Sequence, residues 1–389
     1  MTIRVNLNYY NNDHRILLTT HQPYAAAGTA ARVAFYRRNP VIRRADFLSY
    51  FLIHRQALSG YRTYQDLLTK AHAASTWIED VIVPTSPTIQ LAQQGYSDNG
   101  LSERIGESIG LSVISRLHGM TDADWTKLDT ISGVNGQPTF DFQIGSDGAR
   151  IIQVEAKGSM VDDCTKKPSK VSNHASNIAH KKSGIAQLAT YRYPSSIRYG
   201  TIAAIDATHD AQCWLLDPPA QDFSIAPQEL RIIKRLAFAA KSIALVAPTA
   251  TLPAAIAKRI NEIWKGSANA FEGKVLQTGT GTLFSHQTYV EQYLSSRKTY
   301  LRDIDVVGRL LPSDHDSPMF IGMMGNLARL AIQQSFSEIV NIEYSQTDLG
   351  VHQITAGDPT QEVGRGRSKR IPMRLAVSSG GLVFGHAAR

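Results

Sequence analysis

Cysteine is scarce in this chain of 389 residues. The two cysteines, Cys164 and Cys213, form no Cys-x-x-Cys pair, which argues against a zinc cluster and gives no sign of a disulfide scaffold. No apolar run approaches the roughly 18 residues of a membrane span, and the N-terminus lacks a signal-peptide pattern. We therefore expect a protein of the reducing cytoplasm with no membrane partner.

Two common catalytic signatures are also missing. No Gly-x-Ser-x-Gly occurs, so Ser-His-Asp catalysis has no nucleophile elbow to support it. The sequence Gly279-Thr-Gly281 lacks the Lys-Ser/Thr of a phosphate-binding loop. Composition is otherwise that of an ordinary globular protein, with 43% hydrophobic and 19% charged residues.

The net charge of +8 is unevenly distributed. Residues 1–70 hold ten Lys and Arg against three Asp and no Glu, and aromatic residues are interleaved with the arginines. Arginine forks match phosphate geometry, and aromatic rings stack on bases. A solvated basic face is the alternative interpretation. The arginines that we expect to contact nucleic acid are Arg37, Arg38, Arg43 and Arg44.

The length allows two or three domains. We predict a basic, mostly helical N-terminal region over 1–95 and an α/β core over 97–220. A mixed α/β or helical region follows over 225–389. Within that last region the apolar spacing predicts helices at 227–242, 253–265, 286–300 and 320–337.

Charged residues interrupt two apolar strands over residues 138–157. The strands flank a Gly-Ser-Asp-Gly turn, which predicts a β-hairpin. Glu155 and Lys157 are two apart and share a face of the second strand, and Asp141 can project towards them from the first. Burying such charges is costly unless they are paired, and a divalent cation is a natural partner.

The elements around the hairpin follow a recognisable order. Ser-Asp-Asn-Gly offers an N-cap for a helix over 101–118, which Gly119 ends. We then expect a strand near 129–134, the hairpin, a lysine-rich loop over 158–175 and a helix over 177–192. The strands Thr201–Asp206 and Gln212–Leu216 complete an αβββαβ order with one further strand.

This arrangement resembles the PD-(D/E)xK nuclease superfamily, which includes restriction endonucleases and RecB-like nucleases. Asp141 and Glu155-Ala156-Lys157 match the motif, with thirteen residues between Asp141 and Glu155. The proline of the motif stands at Pro138 rather than directly before Asp141. The resemblance covers roughly 97–217 and implies a restriction-endonuclease-like αβββαβ core.

The resemblance also implies roles for these residues. Asp141 and Glu155 would ligate Mg²⁺ or Mn²⁺, with the backbone carbonyl of Ala156 as a further ligand. Lys157 would orient or deprotonate the attacking water. Glu107, on the helix before the hairpin, would add a third carboxylate, with Glu103 as the second choice. Oxygen ligands suit Mg²⁺ and disfavour zinc.

A Gln-x-x-x-Tyr pattern follows the hairpin. In RecB-like nucleases a similar pair is associated with the site and with DNA, and here Gln187 and Tyr191 fill it on one face of the helix predicted over 177–192. A basic stretch lies between the hairpin and this pair. The lysines expected to hold the phosphate backbone are Lys166, Lys167, Lys181 and Lys182.

The function predicted from these features is a Mg²⁺-dependent DNA endonuclease, such as a restriction or phage-defence enzyme. Three alternatives stay open: a DNA-binding or assembly protein that keeps the fold without cleaving, a secreted antibacterial nuclease, and another metal-dependent hydrolase that uses Asp314-His315-Asp316. A homodimer is compatible with all of them.

Overall fold

A computed structural model describes most of the chain. The described residues are 2–20, 29–54, 71, 73–78, 87–127, 143–186, 197–216, 226–247, 250–264, 276, 299–301, 304–311, 318–356 and 369–388. They divide into two compact units. One unit comprises Thr2–Ala57 and Ala74–Arg231, and the other comprises Leu58–Ala73 and Ile232–Arg389 with Met1.

The first unit is a mixed α/β structure. Its N-terminal elements are β1 (Thr2–Tyr9), α1 (Asn12–Thr20), α2 (Thr29–Arg38), β2 (Val41–Arg43) and α3 (Arg44–Ser49), which continues as a π-helical turn over Tyr50–His54. Its later elements are α4 (Asn99–His118), a 3-10 turn (Asp122–Asp124), β3 (Trp125–Lys127), β4 (Gln143–Ser146), β5 (Ile151–Met160), α5 (Ser169–Ala186), β6 (Ile197–Ile205) and β7 (Ala211–Leu216).

A seven-stranded mixed sheet organises this unit, in the order β2-β1-β7-β6-β5-β4-β3. The β5–β6 and β1–β7 pairs are parallel, and the other neighbours are antiparallel. A parallel pair needs a crossover, which α5 supplies between β5 and β6. The described elements from α4 to β6 therefore follow the predicted order α-β-β-β-α-β.

The N-terminal region contributes strands as well as the expected helices. Ile3, Val5 and Leu7 are buried, while the residues between them are exposed or half-buried. This period of two is typical of a strand with one buried face, and it places β1 beside β7. The basic N-terminal segment thus shares a sheet with the predicted core.

Helix α4 confirms the helix expected over 101–118. The Asp98 side chain caps it by accepting a hydrogen bond from the Leu101 amide at 2.7 Å. Gly119 ends it in the left-handed conformation, with φ of 64°.

Helix α5 begins earlier than expected. The sequence predicted a loop over 158–175 and a helix from 177, whereas the helix starts at Ser169 and β5 continues to Met160. The buried residues Val171, Ala175 and Ile178 recur at helical spacing, but Lys, Ser, Asn and His between them hide the periodicity. The strand predicted near 129–134 lies outside the described residues.

The second unit contains an antiparallel sheet in the order β11-β12-β13-β10-β9-β8. Its strands are β8 (Thr299–Leu301), β9 (Val306–Leu311), β10 (Met319–Met324), β11 (Asp348–Ala356), β12 (Lys369–Val377) and β13 (Leu382–Ala387). Its helices are α7 (Leu252–Trp264), α8 (Gly325–Gln333) and α9 (Phe336–Ile339), and α6 (Pro227–Val246) leads into it.

Two helices predicted over 227–242 and 253–265 correspond to α6 and α7. The helix predicted over 320–337 is wrong at its start, because β10 occupies Met319–Met324 and pairs with β9 and β13 on either side. A short apolar run does not distinguish a buried strand from a helix. The helix predicted over 286–300 meets β8 at its end, and residues 286–298 lie outside the described part.

Candidate functional site

Helix α4 packs unusually close to β5 because glycine faces glycine. A Cβ atom added to Gly106 would lie 2.3 Å from the Gly158 nitrogen, and one added to Gly158 would lie 1.7 Å from the Ser102 carbonyl oxygen. A Cβ on Gly110 would likewise meet the Ala156 side chain at 3.3 Å. This approach is possible only because glycine has no Cβ atom. It places α4 over the face of β5 that carries Ala156 and Gly158.

Helix α5 covers the opposite face of β5. Glu155 pairs with Gly200 of β6, so their substituents point to the same side of the sheet. A Cβ on Gly200 would meet Ile178 of α5 at 2.8 Å. Glu155 and Lys157 therefore project towards α5, as the alternation of a strand requires.

A buried carboxylate with two ammonium groups forms the centre of the candidate site. One oxygen of Glu155, Oε1, lies 2.7 Å from Nζ of Lys157 and 2.7 Å from Nζ of Lys181. The Glu155 side chain is 1% exposed, whereas the lysines are 19% and 16% exposed. A carboxylate this deeply buried needs opposite charge beside it, and α5 and β5 each supply one cation.

Lys181 contacts a carboxylate of the protein, a contact that the sequence did not predict. The sequence suggested a phosphate-backbone contact, and the structure brings its ammonium group to Glu155. Lys181 lies on a helix and Glu155 on a strand 26 positions away, so no local spacing reveals the contact. The early start of α5 is what brings residue 181 level with the hairpin.

Glu107 approaches the hairpin from the other side. It is buried on α4 at 4% exposure, and its Oε1 accepts a hydrogen bond from Gln143 Nε2 at 3.3 Å. The Oε1 atom of Gln143 in turn lies 2.6 Å from Nε2 of His54. Glu107 thus belongs to a buried polar group with Gln143 and His54 on the α4 face, and Glu155 belongs to the lysine cluster on the α5 face.

Sequence reasoning missed Gln143 and His54. Gln143 was visible as a polar residue within an apolar strand, the same signal that drew attention to Asp141. His54 lies 89 positions from Gln143, and nothing in its local sequence indicates the contact.

Three predicted site residues lie outside the described part of the chain: Asp141, Gln187 and Tyr191. The described pairing of β4 with β5 ends at Gln143 and Val154. Lys182 lies on α5, and its side chain is likewise not described. The assignments of these four residues stay predictions from the sequence.

The predicted hairpin is confirmed by the pairing of β4 with β5. A charged side chain stabilises its turn. Asp147 Oδ1 accepts hydrogen bonds from the amides of Ala149 at 2.9 Å and Arg150 at 2.6 Å. Gly148 supplies the positive φ of 91° that the turn needs. Burial alone would raise the pKa of Asp147, but His118, these amides and the Arg150 guanidinium together lower it to about 2.

Asp147 makes the stability of the hairpin decrease at low pH. Its pKa falls from 3.8 to about 2 on folding, so its contribution is complete above pH 4 and is lost as the pH falls towards 2. The full shift corresponds to about 2 kcal/mol. Urea unfolding of wild type and Asp147→Asn at pH 6 and at pH 2.5 tests this expectation. The two proteins should differ much more at pH 6, and an equal difference at both values would contradict it.

The predicted phosphate-binding side chains have several environments. Arg37 and Arg38 are exposed at the end of α2, and Arg37 lies over the Tyr9 ring at 5.6 Å. Arg43 and Arg44 are half-buried where β2 meets α3, and burial lowers the pKa of Arg44.

Two of the predicted lysines lie before α5. Lys166 is 78% exposed and pairs with Asp163 at 2.9 Å. Lys167 lies over the Tyr10 and Trp214 rings, 4.9 Å from each, and donates to the Tyr10 carbonyl. Lys167 therefore packs against its own domain, whereas Lys166 stands at the surface.

A second cluster of potential metal ligands joins Cys164, Asp206 and His209, whose ligand atoms lie within 4.8 Å of one another. The Asp206 carboxylate already accepts hydrogen bonds from the amides of Cys164, Thr208 and His209 and from the His209 ring. Burial and Asp206 raise the pKa of the Cys164 thiol, so a thiolate is disfavoured. These contacts join the loop after β5 to the β6–β7 turn without a metal.

Comparison of the chain with protein-family models, with curated proteins and with solved structures found no match. Among the helices of the described segments, none combines the length and the apolar character needed to cross a bilayer.

Proposed function

We propose that this protein is a Mg²⁺-dependent DNA endonuclease with a restriction-endonuclease-like core. The observation that carries the proposal is the buried Glu155 carboxylate with Lys157 beside it, 2.7 Å away, on an interior strand of an α-β-β-β-α-β arrangement. A hydrolytic site for phosphodiesters needs oxygen ligands for a metal and a cation near the scissile phosphate. Glu155 and Lys157 provide one of each.

Glu155 offers a carboxylate of the kind that magnesium binds, and the proposal takes the further ligands from the sequence motif. Among the described residues of the lysine cluster, Glu155 is the carboxylate, and Mg²⁺ is commonly held by one or two carboxylates together with water. The proposal assigns the second carboxylate to Asp141 on the strength of the sequence motif, with the Ala156 carbonyl as a further oxygen. Mn²⁺ suits the same ligands. Glu107, on the α4 face, acts in the proposal by fixing the hairpin through Gln143.

In the proposed reaction, water attacks phosphorus and the bond to the leaving oxygen breaks. A bound Mg²⁺ would lower the pKa of water and offset the charge that develops on the phosphoryl oxygens. Lys157 would orient the attacking water through its ammonium group and offset charge on a non-bridging oxygen. Glu155 holds Lys157 in place at 2.7 Å, and burial of that pair restricts the positions the lysine can adopt.

Plasmid cleavage tests this function. Wild type should nick or linearise supercoiled DNA with Mg²⁺ or Mn²⁺ and should be inactive in EDTA. Asp141→Ala should lower the rate by about a thousandfold because it removes a ligand of the metal. A wild-type protein that is inert on duplex and on single-stranded DNA with both metals would refute the proposal, and unchanged cleavage by Asp141→Ala would move the site elsewhere.

Lys181 should compete with the metal for Glu155. Its ammonium group lies 2.7 Å from the carboxylate oxygen, so a divalent ion approaching Glu155 meets a like charge. Lys181→Gln should lower the Mg²⁺ concentration for half-maximal cleavage by roughly fivefold, since about 1 kcal/mol of repulsion is removed. A magnesium titration of the cleavage rate measures the change. An unchanged or higher magnesium requirement would show that the metal does not bind at Glu155.

A DNA-binding protein that does not cleave is the second candidate. The observation that favours it is that Glu155 already has two cations beside it, which is also the arrangement of a purely structural ion-pair cluster. DNA binding that weakens steeply with salt, in a protein inert with both metals, would support this candidate. A restriction or phage-defence role is a prediction under the first candidate.

A further inference from the structure

A pocket of about 380 Å³ is lined in part by Lys157. Residues of β5 and of the N-terminal parts of α4 and α5 line it. They include Lys157, Ser159, Lys170, Asn173, His174 and Asn177. A pocket of this size accommodates a phosphate group together with part of a nucleotide.

Two helices begin at this pocket. Asp98 and Asn99 line it at the start of α4, and Lys170 and Asn173 line it in the first two turns of α5. Helix N-termini carry partial positive charge and favour anions, and these helices are 20 and 18 residues long. The Asp98 carboxylate is engaged as the cap of α4, at 2.7 Å from the Leu101 amide.

The side chains add positive charge and hydrogen-bond donors. Lys157 and Lys170 line the pocket, and Lys170 makes a long contact of 3.4 Å with the Met160 carbonyl. His174 also lines the pocket. Burial and the charge of Lys157 lower the pKa of His174, although a hydrogen bond to the Gly158 carbonyl opposes that shift. Glu103 also lines the pocket, and unlike Asp98 it does not cap a helix.

The Ser159 hydroxyl also indicates a ligand, independently of the charges around the pocket. It is 4% exposed, lines the pocket, and shares the α5-facing side of β5 with Lys157. Within the described part of the chain, its hydroxyl has no hydrogen-bond partner. A buried hydroxyl left without a partner costs free energy, so one that faces a polar pocket indicates a group that satisfies it.

We propose that this pocket binds a phosphate monoester, held by Lys170, by the Ser159 hydroxyl and by the N-terminus of α5. The proposed nuclease function, on which this further step rests, makes the source of that phosphate the end of a nucleic acid chain rather than free phosphate. Lys157 lines the pocket and also lies 2.7 Å from Glu155, so a terminal phosphate bound here would place the chain beside the cleavage site. Among linear substrates, the enzyme would then prefer those whose ends carry a phosphate.

Calorimetric titration of the whole chain with inorganic phosphate tests the pocket without any need for cleavage. Lys170→Gln should weaken phosphate binding by about tenfold and Ser159→Ala by several-fold, because each removes a donor to a charged group. Lys258→Gln is the matched control, since Lys258 is an exposed lysine of α7, in the other unit. Ser159→Ala should keep the wild-type unfolding midpoint, which excludes misfolding as the cause.

No heat up to about 10 mM phosphate, or binding that both pocket variants leave unchanged, would overturn the proposal. Oligonucleotides with and without a terminal phosphate then identify the source. A preference for phosphorylated ends that Lys170→Gln abolishes supports the chain end, and equal binding of both oligonucleotides beside intact phosphate binding overturns that assignment. A protein that binds phosphate but cleaves nothing would retain the pocket and lose only the nuclease function.

Discussion

Lys157→Ala is expected to lower the rate of DNA cleavage by roughly 10³-fold while leaving Mg²⁺ binding in place, because in the proposed reaction the lysine orients the attacking water. Glu155 keeps one cation in this variant, since Lys181 lies 2.7 Å from the same oxygen. The fold should therefore survive. Single-turnover cleavage of a labelled duplex at saturating Mg²⁺ measures the loss.

Lys258→Ala serves as the control, because it removes an exposed lysine from α7. It should cleave at the wild-type rate. If Lys157→Ala cleaves within a few-fold of wild type, Lys157 has no part in the chemistry and is only a partner of Glu155. A simultaneous collapse of the unfolding midpoint would instead show that the ion pair is mainly structural.

Gly158→Ala should have the largest effect on folding. The added methyl group would lie 1.7 Å from the Ser102 carbonyl oxygen, so α4 has to move away from β5. Overpacking of this kind costs about 3 kcal/mol or more. Urea unfolding monitored by circular dichroism measures the free energy, and the displacement of α4 should also reduce cleavage.

Gly119→Ala is the matched control for that substitution. It changes the glycine that ends α4 at its C-terminus, where no atom lies within 4 Å of the added methyl group. Its cost comes from the positive φ of 64° alone, about 1 kcal/mol. A Gly158→Ala protein that is as stable as Gly119→Ala would contradict the close packing of α4 on β5.

The sequence was most informative where local chemistry determines the structure. Helix α4 could be predicted with its ends because Asp98 caps it and Gly119 stops it. The β4–β5 hairpin could be predicted because alternation and turn residues agree, and Asp147 holds the turn as such residues do. Short-range signals therefore located both elements that carry Glu107, Glu155 and Lys157.

Contacts between distant segments could not be predicted in the same way. Lys181 was visible only as one of several lysines, and its contact with Glu155 depends on where α5 starts and on how it crosses the sheet. Glu107 and Glu155 lie on opposite faces of β5. Alternate residues of the strand point to opposite faces, and α4 covers one face while α5 covers the other. Neither is a property of a single segment.

The apolar patterns were also ambiguous where elements are buried on both sides. Residues Met319–Met324 form β10 between two other strands, although their apolar character also suits a helix. In β1 the period of two is present in Ile3, Val5 and Leu7, whereas the helical prediction for the region rests on apolar runs further along it. In both cases pairing partners far along the chain decide the structure.

The location of a bound metal tests the central claim most directly. Anomalous scattering from a crystal soaked with Mn²⁺ should show a peak within coordination distance of a Glu155 oxygen, about 2.1 Å, and Glu155→Gln should abolish it. Such a peak would mean that the carboxylate held by Lys157 and Lys181 is a metal ligand. A peak elsewhere, or none at Mn²⁺ concentrations that support cleavage, would contradict the assignment of this cluster as the catalytic centre.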